Sequence, residues 1–213
     1  MSSGTTNFHN IQDSKFSQLT DTFISLYNDI LEYPQDKMRK GIVKPLPRIG
    51  YMVYEKYLKE NNYDDILDIS AHVKELLPVV RLLHTEPYLE LPEFDYAKFT
   101  RFGVHKDSGS NFNPSASINW PLMNCDENSI TKWYNITSGE PIVGPVYTDA
   151  DHCEVEEIES TSLINNHPVL FRVDEFHSVD NYTEKKRVIA AWHFKEDVSW
   201  DRAVDIMREL NAL

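Results

Sequence analysis

The chain is short of positive charge, of cysteine and of long apolar runs, and each shortage removes a class of function. Twenty-one Lys and Arg face 34 Asp and Glu, for a formal charge of −13, so the overall field repels phosphate backbones and anionic lipid. The basic residues are dispersed and no Lys/Arg run interleaves with aromatics, so no nucleic-acid partner is expected. Cys125 and Cys153 are the only cysteines, too few for a disulfide framework and not spaced as a CxxC zinc clasp. No 18-residue apolar stretch occurs, and the polar opening MSSGTTNFHNIQDS lacks the apolar centre of a signal peptide, so a soluble, cytoplasmic protein without a membrane partner is expected. Asn135 and Asn181 begin glycosylation-type triplets that carry little weight without a secretion signal.

What is present is the material of a core. Hydrophobic residues make up 41% and aromatics 12% of 213 residues, enough for one packed domain. Residues 1–12 read as a flexible tail. Residues 13–87 read as helical support. Within it, Phe16, Leu19, Phe23, Leu26 and Ile30 recur at three- and four-residue steps behind a cap at Asp13 or Ser14, and the helix must end before Pro34. KPLPRIG reads as a loop or an extended edge. A second helical region is expected over about Tyr63–His84, with Pro78 kinking or dividing it. Residues 199–213 hold a last helix capped by Ser199.

From 88 to 195 the texture changes to short runs rich in Val, Ile, Phe, Tyr and Trp, separated by Asn, Asp, Gly, Pro and Ser. These predict about eight strands: YAKFTRFGVH, SASINWPLM, ITKWYNIT, CEVEEIE, STSLINN, PVLFRV, HSVDNY and RVIAAWHF. No crossover helices intervene, which disfavours a parallel sheet and favours a mainly β jelly-roll core with flanking helices.

Eight histidines raise the question of a metal site. With 34 acids in 213 residues, an acid falls two places after a histidine about 1.3 times among eight by chance, and three such pairs occur: His84/Glu86, His105/Asp107 and His152/Glu154. On a strand, residues i and i+2 share a face, so H-x-D can offer two ligands without strain, and a non-haem iron site needs two imidazoles and a carboxylate. His84 closes an expected helix, where i and i+2 diverge. His152 sits in an acidic, solvated segment only 25 residues before His177. His105 ends an apolar strand before a Ser/Gly/Asn loop and is the best placed. Downstream, His177 follows an apolar strand and a short turn, and Arg187 opens another strand ten residues on, where a guanidinium could hold a distal carboxylate by two parallel bonds.

The order His105-x-Asp107, His177, Arg187, with the run VLFRVDEFHSVDN…RVIAAWHF, resembles the 2-oxoglutarate- and Fe(II)-dependent oxygenases, especially prolyl-hydroxylase-like and aspartyl/asparaginyl-hydroxylase-like members, over roughly residues 95–195. The resemblance implies a double-stranded β-helix, cupin-like core. It implies Fe(II) held by His105, Asp107 and His177, and 2-oxoglutarate held through its C5 carboxylate by Arg187. O2 would be the co-reactant, and a peptide, amino acid or small metabolite would be hydroxylated with release of succinate and CO2. Asp107 speaks against a halogenase, whose pattern has a small residue there. Some relatives carry Arg-x-Ser, but Ile189 stands two places after Arg187, so Asn119 or Ser117 is the expected second contact to the cosubstrate. Two other readings stay open: a cupin-type metalloenzyme that does not use 2-oxoglutarate, and a non-catalytic jelly-roll binding module. Trp120, Trp133 and Trp192 are expected in the core, His193 as a packed or hydrogen-bonded inward residue, and Arg101 at the substrate or in a surface ion pair. The acidic run 149–159 reads as a solvated face, since it lacks a calcium-loop pattern.

Overall fold

The computed structural model describes residues 6–46, 49–87 and 102–213. Thirteen described strands form two antiparallel sheets. In chain order they are β1 (Phe8–Asn10), β2 (Val43–Leu46), β3 (Gly50–Tyr54), β4 (Val79–Thr85), β5 (Phe102–Lys106), β6 (Ala116–Met123) and β7 (Ser129–Ser138). Then follow β8 (Ile142–Val143), β9 (Thr148–Asp149), β10 (Glu154–Ser162), β11 (Val169–Arg172), β12 (His177–Asn181) and β13 (Arg187–His193). The major sheet runs β1-β11-β6-β13-β4-β3-β2 and the minor sheet β10-β7-β12-β5-β9-β8, the two-sheet arrangement expected of a jelly roll.

The major sheet is buried on both faces, and its side chains divide by parity. On β13, Val188, Ala190 and Trp192 enter the main hydrophobic core, whereas Arg187, Ile189, Ala191 and His193 face a cavity between the sheets. On β6, Ile118 and Trp120 enter the core while Ser117 and Asn119 face the cavity. The core side is covered by helices α1 (Ser14–Glu32), α2 (Glu55–Glu60), α3 (Asp64–His72) and α4 (Trp200–Glu209). Helix α1 buries Phe16, Phe23, Leu26 and Ile30 there. Asp13 caps it, its side chain accepting the Lys15 amide at 2.8 Å, and Ser199 caps α4 in the same way from Arg202. The rings of Phe16 and Phe23 lie 6.2 and 4.9 Å from Trp120, whose indole N–H donates to the Phe16 carbonyl. The three expected core tryptophans are all buried.

Several expectations fail for physical reasons. The helical region expected to reach His84 ends at His72, and residues 79–85 form β4, a strand in the interior of the sheet. Because Val80 and Leu82 face the core while Val79, Arg81 and Leu83 face the cavity, both sides are apolar enough to erase the alternation that marks a strand. The support region 13–87 therefore contributes β2, β3 and β4 to the sheet as well as helices. The tail expected over 1–12 contains β1: Phe8 pairs with Phe171 and Ile11 is 5% exposed. Of KPLPRIG, expected as a loop or an extended edge, residues 44–46 do lie in the edge strand β2, and β3 opens on Gly50, at φ +138°, where a Cβ would strike the Leu82 carbonyl. The two strands expected over 153–166 are one, β10, the edge of the minor sheet, whose run of glutamates discourages pairing with another chain. Arg101 and the first part of YAKFTRFGVH lie outside the described residues.

Candidate metal centre and anion pocket

His105 and His177 face each other as register partners on β5 and β12, with ring centroids 4.5 Å apart. Asp107 follows the end of β5, where its amide donates to the Val173 carbonyl. One ligand atom from each of His105, Asp107 and His177 lies within 4.8 Å of the others, a grouping that could hold a metal ion. The backbone orients both rings: Nδ1 of His105 donates to the Gly103 carbonyl at 2.6 Å and Nδ1 of His177 to the Glu175 carbonyl at 2.9 Å. With Nδ1 engaged in this way, Nε2 is the ring atom that each histidine turns toward the other ligands. Gly103 is needed beside them, because a Cβ would collide with Asp151, whose carboxylate accepts the Val104 amide.

Asp107 is held from behind. Its Oδ2 accepts from Nε2 of His193 at 2.8 Å and lies 3.6 Å from the Arg81 guanidinium, while Oδ1 points to Nε2 of His105 at 3.5 Å. Phe112 covers this support: the Arg81 guanidinium sits 5.1 Å from its ring centre and His193 meets it edge-on. Burial opposes ionisation of Asp107, but the hydrogen bonds from His105 and His193 and the Arg81 charge keep its carboxyl well below the usual range. Burial also opposes charge on His105, yet the hydrogen bond and charge of Asp107 raise its pKa. His177 is pushed down to about 4, by burial first and then by the neighbouring His105. At neutral pH His177 is thus in the form a metal needs.

The same cavity, about 830 Å³, contains a second cluster. Arg187 is 1% exposed, and among the described residues its Nε and Nη1 have no hydrogen-bond partner. Burial lowers its pKa, and Cys125, were it ionised, and the charge of Asp180 act the other way without bonding those two nitrogens. Thr131 on β7 is fully buried, and its Oγ1 is likewise without a partner. Ser117 donates to the Asn119 side-chain oxygen at 3.0 Å, so that pair is engaged with itself, although both residues line the cavity. The site thus brings His105, Asp107, His177, Arg187, Ser117 and Asn119 together. His84 is a strand residue lining the cavity, and His152 bonds the Glu140 carbonyl.

Arg81 and Thr131 were not singled out in the sequence. The signal for Arg81 was Pro78 followed by Val-Val, which favours a strand. Thr131 carries no signal until β7 is paired with β12, where it sits opposite Val179.

No protein-family model and no curated protein sequence matches the chain. Among solved structures, the epimerase SnoN in complex with Fe3+, alpha ketoglutarate and nogalamycin RO aligns with a TM-score of 0.51 at 8% identity, covering 90% of this chain and 80% of that one. The chain shares that fold. SnoN is a non-heme alpha ketoglutarate dependent epimerase, and at this identity the likeness is one of architecture. The carbocyclase SnoK from nogalamycin biosynthesis (TM-score 0.49, 10% identity, 93% and 86% covered) and a Pseudomonas putida prolyl-4-hydroxylase (0.43, 11%, 90% and 94%) also align. SnoK, like SnoN, is described as non-heme and alpha ketoglutarate dependent. Among the described residues, no helix is long and apolar enough to cross a membrane.

Proposed function

We propose that the protein is an Fe(II)- and 2-oxoglutarate-dependent dioxygenase that hydroxylates a C–H bond. In this reading Nε2 of His105, Nε2 of His177 and Oδ1 of Asp107 hold the iron. Two imidazoles and one carboxylate form the donor set that suits non-haem Fe(II) and leaves positions open. Arg187 holds the C5 carboxylate of 2-oxoglutarate through its guanidinium, and Thr131 adds a hydroxyl in place of the serine that some relatives place two residues after the arginine. With both groups bound, the centre would couple O2 to the oxidative decarboxylation of 2-oxoglutarate to succinate and CO2 and oxidise the substrate. The protein's part is to orient these groups and keep water from them with the apolar inner faces of β4, β11 and β13.

The observation that carries this reading is the buried Arg187 with two unpaired N–H groups in the cavity that also contains the His-Asp-His group. A buried guanidinium with unpaired nitrogens is costly, and a carboxylate ligand that accepts charge-assisted bonds from it lowers that cost. A cupin-type enzyme without 2-oxoglutarate gives no use for it. Anaerobic addition of Fe(II) and then 2-oxoglutarate is expected to raise a weak visible charge-transfer band, absent in His177→Ala. Arg187→Met is expected to weaken 2-oxoglutarate binding about 100-fold and Thr131→Val about tenfold. A wild-type protein that binds iron but forms no band and binds no 2-oxoglutarate is the cupin-type outcome and ends the proposal.

A further inference from the structure

The charged groups lining the cavity are unevenly matched. Each acid is engaged: Asp107 as described, Asp151 by the Val104 amide at 2.7 Å, Asp149 by the Asp151 amide at 2.9 Å and Glu86 by Lys186 at 2.7 Å. Lys40 and Lys44 line the same cavity, are exposed, and their side chains make no hydrogen bond or ion pair with the described residues. In a chain of charge −13, two cations lining one cavity and unpaired among the described residues form a local field opposite to the global one.

Strand register aligns one of them with the candidate metal centre. Lys44 pairs with Met52, Met52 with Arg81, Arg81 with Ala191 and Ala191 with Asn119, and all five line the cavity. This is one row across the major sheet. Arg81 touches Asp107, and Lys44 stands two strands away from Arg81, roughly 10 Å at about 4.8 Å per strand. The step between them is apolar, with Met52 in the row and Ile49 and Leu77 beside it. Across the mouth, Val146 and Tyr147 line the cavity while 48% and 52% exposed. Large apolar side chains rimmed by charge mark a ligand's path.

We propose that the substrate is an amphipathic anion of small-molecule size. Its anionic head is held by Lys40 and Lys44, its apolar body lies along Met52 under Val146 and Tyr147, and the C–H bond to be oxidised sits roughly 10 Å from the head, beside His105, Asp107 and His177. The oxidation rests on the function proposed above; the binding does not.

The test is a fluorescence titration of metal-free protein with two dyes of similar ring system, anionic 8-anilinonaphthalene-1-sulfonate and neutral N-phenyl-1-naphthylamine. The sulfonate is expected to bind more tightly to the wild type. K40A/K44A is expected to weaken it about five- to tenfold, as two exposed ion pairs would, with the neutral dye unchanged within about twofold. K40E/K44E reverses the preference, and Met52→Trp, which fills the apolar step, weakens both dyes. K56A/K59A removes the same charge from α2 and is expected to change neither. Equal binding of the two dyes to the wild type, or a response to K56A/K59A as large as to K40A/K44A, overturns the proposal. So does loss of sulfonate binding in Arg187→Met, because the dye then sits at the inner anion pocket. The titrations need neither iron nor 2-oxoglutarate, so their failure is distinct from failure of the charge-transfer experiment.

Discussion

Arg187→Met separates what a residue contributes to folding from what it contributes to binding. Arg187 is 1% exposed, and two of its three guanidinium nitrogens are unpaired among the described residues. Desolvating such a charge costs several kcal/mol, offset in part by the charge of Asp180, which acts without bonding those nitrogens. Methionine is unbranched and fills the same channel without a charge. The metal-free variant is therefore expected to be more stable than the wild type by about 2 kcal/mol, or roughly 4–8 °C in Tm for a chain of this size. The ligand response runs the other way. With Mn(II) present, 2-oxoglutarate at 100 times its Kd stabilises the wild type by about 2.7 kcal/mol, and the variant at the same concentration is expected to gain less than about 0.5 kcal/mol. Scanning calorimetry with and without ligand reads both. A variant less stable than the wild type, with an undiminished 2-oxoglutarate shift, would refute the reasoning, because Arg187 would then be a satisfied structural residue.

His193→Leu removes the hydrogen bond to Asp107 Oδ2 and is expected to weaken Mn(II) or Fe(II) affinity about 10- to 100-fold, with His193→Gln recovering part of it; equal affinities in a metal titration would show that Asp107 needs no support. Metal-free protein is expected to lose stability in acid through His177. Its folded pKa, about 4, lies below the unfolded 6.5, so between those values the unfolded chain binds the extra proton and stability falls with pH by up to about 3 kcal/mol, being full only above 6.5. His105, raised by Asp107, has the opposite sign and offsets part of this, so the measurement is the difference between wild type and His177→Gln in chelator-treated denaturant titrations at several pH values; parallel curves would count against it. Trp120→Ala is expected to cost about 3–5 kcal/mol by emptying the contact with Phe16 and Phe23 without touching the cavity, so at low temperature the variant's 2-oxoglutarate affinity should stay within about twofold of wild type.

The sequence was most readable where one physical signal acted alone. Helix α1 followed from a single 3.6-residue stripe and a capping aspartate, and β6, β7, β11, β12 and β13 from apolar runs bounded by turn residues. The order His105, Asp107, His177, Arg187 was visible because each residue sits at or near the end of such a run. β4 was not, because burial on both faces removes the period-two pattern, and with it went Arg81 and the strand placement of His84. β1 was hidden because three residues carry almost no pattern; what holds them is pairing with β11 and the stack of Phe8 on Trp133 at 5.9 Å. Thr131 was hidden for a different reason. A buried hydroxyl is ordinary until its lack of a partner is known, and that is a property of the packed cavity.

The two sheets divide the chemistry between them. His105 and His177 come from the minor sheet, whose strands β5 and β12 meet in register, so the backbone alone sets their spacing and, through the Gly103 and Glu175 carbonyls, their tautomers. The cations Lys44, Arg81 and Arg187 come from the major sheet, which the helices clamp from behind through Trp120 and Trp192. Asp107 connects the two sets: it leaves the minor sheet at the end of β5 and is held by Arg81 and His193 of the major one. Sliding one sheet against the other by a single 3.3 Å residue step would break that hold before it disturbed either histidine. The carboxylate is therefore the ligand most sensitive to strain in the sandwich. A change in the helix layer that loosens the major sheet, far from the cavity, should thus weaken metal binding through Asp107 while leaving the His105–His177 pair in place.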